Sequence, residues 1–137
     1  MAGYSNTPLP KKLGIKEGHK VAVLSPPNAF EKTLGNLPGK AVIQVGLAGQ
    51  ARFDVIVLFV TSRAELRRQI TATRRRMTPA AGLWVAWPKK ASGVASDVTE
   101  NVIREIALPT GLVDNKVCAI DATWSGLRLV VRLALRE

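Results

Sequence analysis

The strongest structural signal in the sequence is the stretch Phe53-Asp54-Val55-Ile56-Val57-Leu58-Phe59-Val60. It is almost continuously apolar and rich in β-branched residues, as expected for a central parallel strand that is covered on both faces. The run is far shorter than the roughly 20 apolar residues that a membrane-spanning helix needs. It therefore predicts the middle of a parallel sheet, around which the rest of the chain can be placed.

Further strands are predicted at 20–24, 41–45, 83–87, 116–120 and 124–135. Helices are expected after three capping residues, Asn28, Ser62 and Asp97. The last two strands are joined by a short turn and predict an antiparallel hairpin, with the final strand at a sheet edge. The sequence thus predicts an α/β, Rossmann-like fold with a mostly parallel sheet, helices on both faces and a C-terminal antiparallel hairpin.

One connection leaves two alternatives open. Only residues 46–52 separate the second strand from the third, too few for a helical crossover between parallel strands. Either this pair is antiparallel, or an extended segment crosses at the edge of the sheet.

The length of 137 residues fits one domain. We predict an N-terminal arm at 1–18, which Leu13 and Ile15 attach to the core, and a single Rossmann-like domain at 19–137. The N-terminus lacks the pattern of a signal peptide. Cys118 is the single cysteine and His19 the single histidine, so neither an internal disulfide nor a metal cage can form. We therefore expect a cytoplasmic protein with no membrane segment and no metal.

The positive charge is one-sided. Of the formal net charge of +10, residues 1–76 contribute 13 Lys/Arg against 4 Asp/Glu, and residues 77–137 contribute 7 against 6. Such a distribution favours an anionic partner, either nucleic acid, a phosphate-bearing small molecule or an acidic protein. The alternative is that the charge serves solubility alone. The sequence does not indicate an oligomeric state.

Two stretches resemble the C-terminal half of class I S-adenosylmethionine-dependent methyltransferases. Residues 53–58 resemble their fourth strand, and residues 77–85 (Met-Thr-Pro-Ala-Ala-Gly-Leu-Trp-Val) resemble the entry into their fifth. The order of elements from the third strand onward is similar too. This resemblance implies a Rossmann-like sheet and an extended return before the third strand.

The chain as a whole also resembles a bacterial family of small proteins defined as a domain of unknown function. The stretches that carry this resemblance are Gly3-Tyr4-Ser5 with Thr7-Pro8-Leu9, Lys12-Leu13-Gly14-Ile15, Trp87-Pro88-Lys89-Lys90-Ala91-Ser92-Gly93 and Gly111-Leu112-Val113-Asp114-Asn115-Lys116-Val117-Cys118. Membership implies the same fold and supplies no activity.

The turn after the first strand departs from the methyltransferase pattern. In that family a glycine-rich turn lets the backbone approach the cofactor, and an acidic residue near the end of the second strand binds the ribose. Here the turn contains Pro26 and Pro27, which lack amide donors and fix φ, and the second strand ends at Val45 and Gly46 without a carboxylate. We therefore predict no bound cofactor.

In open α/β sheets, ligands bind outside the carboxyl ends of the strands. The residues predicted there are Ser25, Asn28, Ser62, Arg63, Lys89, Lys90 and Ser92. They offer hydroxyls, amide donors and cations without a carboxylate or histidine, which suits an anion better than acid–base catalysis, and a helix N-terminus would add its dipole. The alternative is that Ser62 and Asn28 only cap helices and that the lysines lie in a solvated turn.

A second candidate surface is the arginine-rich helix. Four of its arginines lie outside the apolar face of the helix and are candidates for binding the phosphates of a nucleic acid: Arg67, Arg68, Arg74 and Arg75. The alternative is a solvated face whose last arginines favour the helix dipole. Trp124, at the hairpin, is the best candidate for an exposed aromatic, and Cys118 is predicted to be buried and inert.

No catalytic residues can be assigned from these patterns. The leading hypothesis is a non-catalytic domain that binds a phosphate-bearing or other anionic ligand at a basic surface. The alternatives are a small transferase descended from the methyltransferase fold, which would use the Lys89–Lys90 loop, and a nucleic-acid-binding protein.

Overall fold

The computed structural model describes residues 7–136, and at its centre is a six-stranded sheet. The strands are β1 (Lys20–Leu24), β2 (Val42–Val45), β3 (Phe53–Phe59), β4 (Met77–Pro88), β5 (Leu112–Ala119) and β6 (Trp124–Val131). Their order is β2-β1-β3-β4-β6-β5. Strands β1 to β4 are parallel, and β6 runs antiparallel to both β4 and β5. The predicted mixed sheet and C-terminal hairpin are confirmed. The Gly3-Tyr4-Ser5 stretch and the rest of residues 1–6 lie outside the described residues, as does residue 137.

Helices cover both faces of this sheet. They are α1 (Leu9–Lys12), α2 (Phe30–Leu34), α3 (Arg63–Arg75) and α4 (Glu100–Ala107), with short 3-10 turns at Lys90–Ser92, Leu108–Thr110 and Leu133–Leu135. Helices α1 and α2 pack on one face and α3 and α4 on the other. Leu13 and Ile15 are buried beside α1, as predicted. No helix in the described range has the length and apolarity to cross a membrane.

Strand β3 shows why its sequence is apolar throughout. Val55 and Val57 pack in the cluster under α1 and α2, whereas Ile56 and Leu58 pack in the cluster under α3 and α4. Successive side chains of a strand point to opposite faces, so both sets must be apolar when both faces are covered. The prediction of a doubly covered central strand is confirmed.

The connection between β2 and β3 is the extended segment 46–52. Both strands are parallel to β1, which lies between them. Leu47 packs against the core cluster of the α3 face. Arg76 holds the segment there, because its Nη1 donates to the Leu47 carbonyl at 2.6 Å and its Nε to the Ala51 carbonyl at 2.7 Å. The extended alternative is therefore the one adopted, as the methyltransferase resemblance implied.

Two of the three predicted caps are wrong. Ala29, in the left-handed region at φ 63°, precedes α2, and Asn28 does not cap it. Helix α4 is capped by Thr99, whose Oγ1 accepts a hydrogen bond from the Val102 amide at 3.2 Å, because Asp97 is engaged elsewhere. Ser62 caps α3 as predicted, accepting from the Glu65 amide at 3.1 Å.

The C-terminal strands also differ from expectation. Strand β6 lies between β4 and β5, so it is not the edge strand, and it ends at Val131. Leu133, predicted to continue its buried face, is 79% exposed. Trp124 is half-buried and packs edge-to-face on Phe59 with ring centroids 5.0 Å apart, so it is not a free aromatic. Its ring helps to close the α2 face of the core.

Candidate functional site

The residues predicted at the carboxyl ends of the strands do lie along one edge of the sheet. Strands β1, β3 and β4 are mutually parallel, and Ser25, Ser62 and Lys89 follow their carboxyl ends. Lys90 and Ser92 are in the 3-10 turn that follows β4. We call this the carboxyl edge. The topology brings these residues to one side, and ligand binding there stays a prediction.

Carboxylates of the chain already occupy the amino end of α3. The Arg63 amide donates to Asp97 Oδ1 at 2.8 Å, and Arg63 Nε donates to the Asp97 carbonyl at 3.2 Å. The Thr61 amide donates to Glu65 Oε1 at 3.0 Å. The expectation of an edge without carboxylates is therefore wrong. Two of the amides that make a helix N-terminus an anion site, those of Arg63 and Glu65, therefore already donate to acceptors within the chain.

The turn between β1 and α2 does not fit S-adenosylmethionine. Ser25 and Ala29 adopt φ values of 54° and 63° without being glycine, and Pro26 and Pro27 between them have no amide to donate. A cavity of about 510 Å³ adjoins the turn, but its charged lining is Glu31 alone. Asn28, one of the predicted ligand-binding residues, also lines this cavity. The other lining residues are mostly apolar: Val23, Pro26, Pro27, Ala29, Phe30, Leu34, Leu37, Ile43 and Val45.

The end of β2 also lacks a group for a ribose. The residues there are Gln44, Val45 and Gly46, and the amide of Gln44 is used locally. Its Nε2 donates to the carbonyls of Gly46 at 3.0 Å and Ala48 at 2.9 Å. The end of β2 therefore has the position in the fold at which a cofactor site would lie, but no carboxylate that could bind a ribose hydroxyl.

A strongly basic cleft opens at the amino ends of the parallel strands, on the α1 face. Its volume is about 460 Å³. We call it the basic cleft; the cations that line it are Lys11, Lys12, Lys16, Lys116 and Arg128. His19, Asp54, Thr78 and Asn115 also line it. Asp54 is its one carboxylate, and Asp54 Oδ2 accepts a hydrogen bond from the Lys20 amide at 2.8 Å.

Arg128 has the most unusual environment in this cleft. Its half-buried guanidinium lies against the backbone of Gly82, where a Cβ atom would come within 2.5 Å of Nε. Burial lowers the pKa of Arg128, and the charge of Arg136 adds to this effect. Within residues 7–136 the guanidinium has neither a hydrogen-bond acceptor nor a carboxylate partner. Because Arg128 is only half-buried, water reaches it, and an anion that enters the cleft can replace this water with charge-assisted hydrogen bonds.

A second cation-lined cleft lies nearby on the α3 face. We call it the arginine cleft, with a volume of about 240 Å³; its arginines are Arg52, Arg74, Arg75 and Arg136. Of the four arginines predicted to meet nucleic acid, Arg74 and Arg75 are in this cleft. Arg67 instead borders a separate depression that contains Glu105, and Arg68 is exposed on α3. The predicted set is therefore divided between surfaces.

Cys118 has the properties of a structural thiol. It is half-buried, and burial raises the pKa of its thiol although Lys12 and Lys116 oppose the shift. His19, its possible base, uses Nδ1 to accept a hydrogen bond from the Lys16 amide at 3.1 Å. In the described part of the chain, no three His, Cys, Asp or Glu residues come together as a metal site.

Comparison with solved structures shows the class of fold. The chain is similar to a SAM-dependent methyltransferase from Aquifex aeolicus, with a TM-score of 0.60 and 15% identity over 88% of this chain and 87% of that one. It is similar to a fibrillarin pre-rRNA processing protein from Methanococcus jannaschii, with a TM-score of 0.61 and 11% identity over 94% of this chain and 70% of that one. It is also similar to a ribosomal protein L11 methylase from Lactobacillus delbrueckii, with a TM-score of 0.60 and 9% identity over 90% of this chain and 74% of that one.

The protein therefore has the Rossmann-like fold of the S-adenosylmethionine-dependent methyltransferases. Identities this low show the fold and not the activity. No family profile and no curated protein sequence match the chain. The resemblance to a bacterial family of unknown function accordingly stays a prediction.

Proposed function

We propose that this protein is a non-catalytic domain of methyltransferase-like fold that holds a phosphate-bearing ligand in the basic cleft. The observation that carries the proposal is Arg128, a half-buried guanidinium that lies beside Lys116 and has no acceptor among residues 7–136. A phosphate oxygen accepts the paired N–H donors of a guanidinium, and such charge-assisted bonds are the stronger class.

The charge balance of the cleft supports an anion. In the described part of the chain, five Lys and Arg side chains line it against one carboxylate, and that carboxylate accepts a backbone hydrogen bond. The net charge of +10 adds a long-range attraction for anions. The volume of about 460 Å³ lies in the range of roughly 300–1,000 Å³ that small-molecule sites occupy.

A binding role is favoured over catalysis because the basic cleft offers few groups that could transfer a proton, and His19 and Asp54 each already accept one backbone hydrogen bond. His19 Nδ1 accepts from a backbone amide, as does Asp54 Oδ2. The thiol of Cys118 has a raised pKa, which disfavours the nucleophilic thiolate.

The second candidate is a transferase that uses the carboxyl edge, and the fold similarity to methyltransferases favours it. The proline-containing turn and the internally satisfied end of α3 weigh against it. The two candidates place the ligand at opposite ends of the same strands. Matched substitutions at the two ends therefore separate them.

Calorimetric titration of inorganic tripolyphosphate at about 50 mM salt, where screening is weak, tests the proposal. Replacing Arg128→Gln should weaken binding about tenfold or more, since each 1.4 kcal/mol is a factor of ten. Lys90→Ala, at the carboxyl edge, removes the same charge and should leave the affinity within about twofold. Loss of binding with Lys90→Ala and not with Arg128→Gln would move the site to the carboxyl edge and refute the proposal.

A further inference from the structure

The two basic clefts share a wall built from the start of β4. In the pairing of β3 with β4, Phe53 is opposite Met77 and Val55 is opposite Gly82, so residues 78–81 bulge opposite Asp54 alone. Thr78 and Ala80 border the basic cleft, whereas Met77 and Pro79 border the arginine cleft. This division follows from the alternation of side chains along a strand.

The cations therefore lie on both sides of a thin, uncharged wall. Nine Lys and Arg side chains line the two clefts: Lys11, Lys12, Lys16, Lys116 and Arg128 on one side, and Arg52, Arg74, Arg75 and Arg136 on the other. Among residues 7–136, Asp54 is the only carboxylate that lines either cleft. The cations are spread over two clefts, so a backbone with successive phosphates can engage more of them than one compact phosphate group can.

We propose that the amino ends of the parallel strands, through both clefts together, bind the phosphate backbone of a nucleic-acid duplex. This proposal rests on the proposed function and extends it to the arginine cleft. Guanidinium groups suit phosphates because their planar donors match two oxygens at once. Neutralisation of phosphates by Lys and Arg supplies sequence-independent affinity for a duplex.

The aromatic residues indicate a duplex and not a single strand. Proteins that bind single strands stack bases on exposed aromatic rings. Every Phe and Trp in residues 7–136 is buried or packed against a core cluster: Phe30, Phe53, Phe59, Trp84, Trp87 and Trp124. Among residues 7–136, the exposed side chains of the two clefts thus favour recognition through the backbone, which does not depend on base sequence.

Fluorescence anisotropy with a labelled 20-base-pair duplex, over a salt series from about 50 to 200 mM, tests this proposal. Each phosphate contact contributes about −0.9 to the slope of log K against log salt. The double variant Arg52→Ala/Arg75→Ala removes two exposed cations of the arginine cleft, so the slope should become about 1.8 units less steep. Lys32→Ala/Lys90→Ala removes two exposed cations elsewhere and should leave the slope unchanged. Circular dichroism confirms that both variants are folded.

Three results would overturn the proposal. They are an unchanged slope in Arg52→Ala/Arg75→Ala, tighter binding of a single strand than of the duplex, and binding of poly-L-glutamate as tight as that of the duplex. Absence of duplex binding at about 50 mM salt refutes it as well. In that case tripolyphosphate binding that depends on Arg128 would show that the proposed function survives, and loss of both would show that it fails too.

Discussion

The substitution Gly82→Ala separates the role of Arg128 in binding from its role in the fold. A Cβ at position 82 would lie 2.5 Å from Arg128 Nε and 3.0 Å from Cζ and Nη2. Contacting atoms prefer a separation of about 3.5 Å, so the guanidinium must move by about 1 Å. The atoms that must move are at the end of a flexible side chain.

Gly82→Ala should change the stability of the fold little and weaken ligand binding strongly. Replacing glycine by alanine in a compatible backbone conformation stabilises by about 0.4–1 kcal/mol through the unfolded state, which offsets the displacement. We therefore expect the free energy of unfolding in urea to stay within about 1 kcal/mol of the original. Loss of a charge-assisted hydrogen bond costs about 1.5–3 kcal/mol, which weakens tripolyphosphate binding about 10- to 150-fold.

Two controls make this test specific. Gly39→Ala adds a Cβ at an exposed glycine with no heavy atom within 4 Å; it should raise the free energy of unfolding by about 0.4–1 kcal/mol and leave the affinity unchanged. In a double-mutant cycle, Arg128→Gln should cause little further loss of affinity once Gly82→Ala is present, because both changes remove one interaction. Unchanged affinity in Gly82→Ala would refute the placement of the ligand beside Arg128.

Three other predictions concern the fold, the thiol and the cofactor. Arg76→Ala should lower the free energy of unfolding by about 2–4 kcal/mol, because two charged hydrogen bonds to segment 46–52 are lost. Urea titration measures this loss, and a loss no larger than that of Arg75→Ala would contradict the prediction. Cys118, whose thiol pKa burial raises, should react with iodoacetamide at pH 8 more slowly than in the urea-unfolded chain, and equal rates would contradict the shift. Calorimetric titration of S-adenosylmethionine should detect no binding at micromolar concentrations, and micromolar affinity would contradict our interpretation of the β1–α2 turn.

The sequence was most informative where burial alone determines the pattern. Strand β3 needs apolar residues on both faces, and its sequence shows this without any tertiary information. The start of β4 is different. Residues 77–82 pair only irregularly with β3, and a bulged segment of this kind has no apolar periodicity to reveal it. Its extent, and the wall between the two clefts, therefore required the structure.

The basic cleft could not be predicted because its cations come from distant parts of the chain. Lys12 lies on α1, Lys116 on β5 and Arg128 on β6. One local signal existed: Gly82 interrupts an otherwise apolar strand, and glycine within a strand marks close approach of another group. The predicted strand began at residue 83, which left Gly82 outside it, whereas the observed strand begins at Met77. The Asp97 contact with Arg63 joins residues 34 positions apart and left no local signal.

The two ends of the sheet differ in how the field of α3 is compensated. At the amino end of this helix, the positive dipole meets the carboxylates of Asp97 and Glu65. At its carboxyl end, the dipole supplies about half a negative charge, while Arg74 and Arg75 supply two positive ones. Two further arginines and the cations of the basic cleft increase this surplus. Like charges gathered in this way repel one another, so an anion has more to stabilise there than at the carboxyl edge, where methyltransferases bind their cofactor.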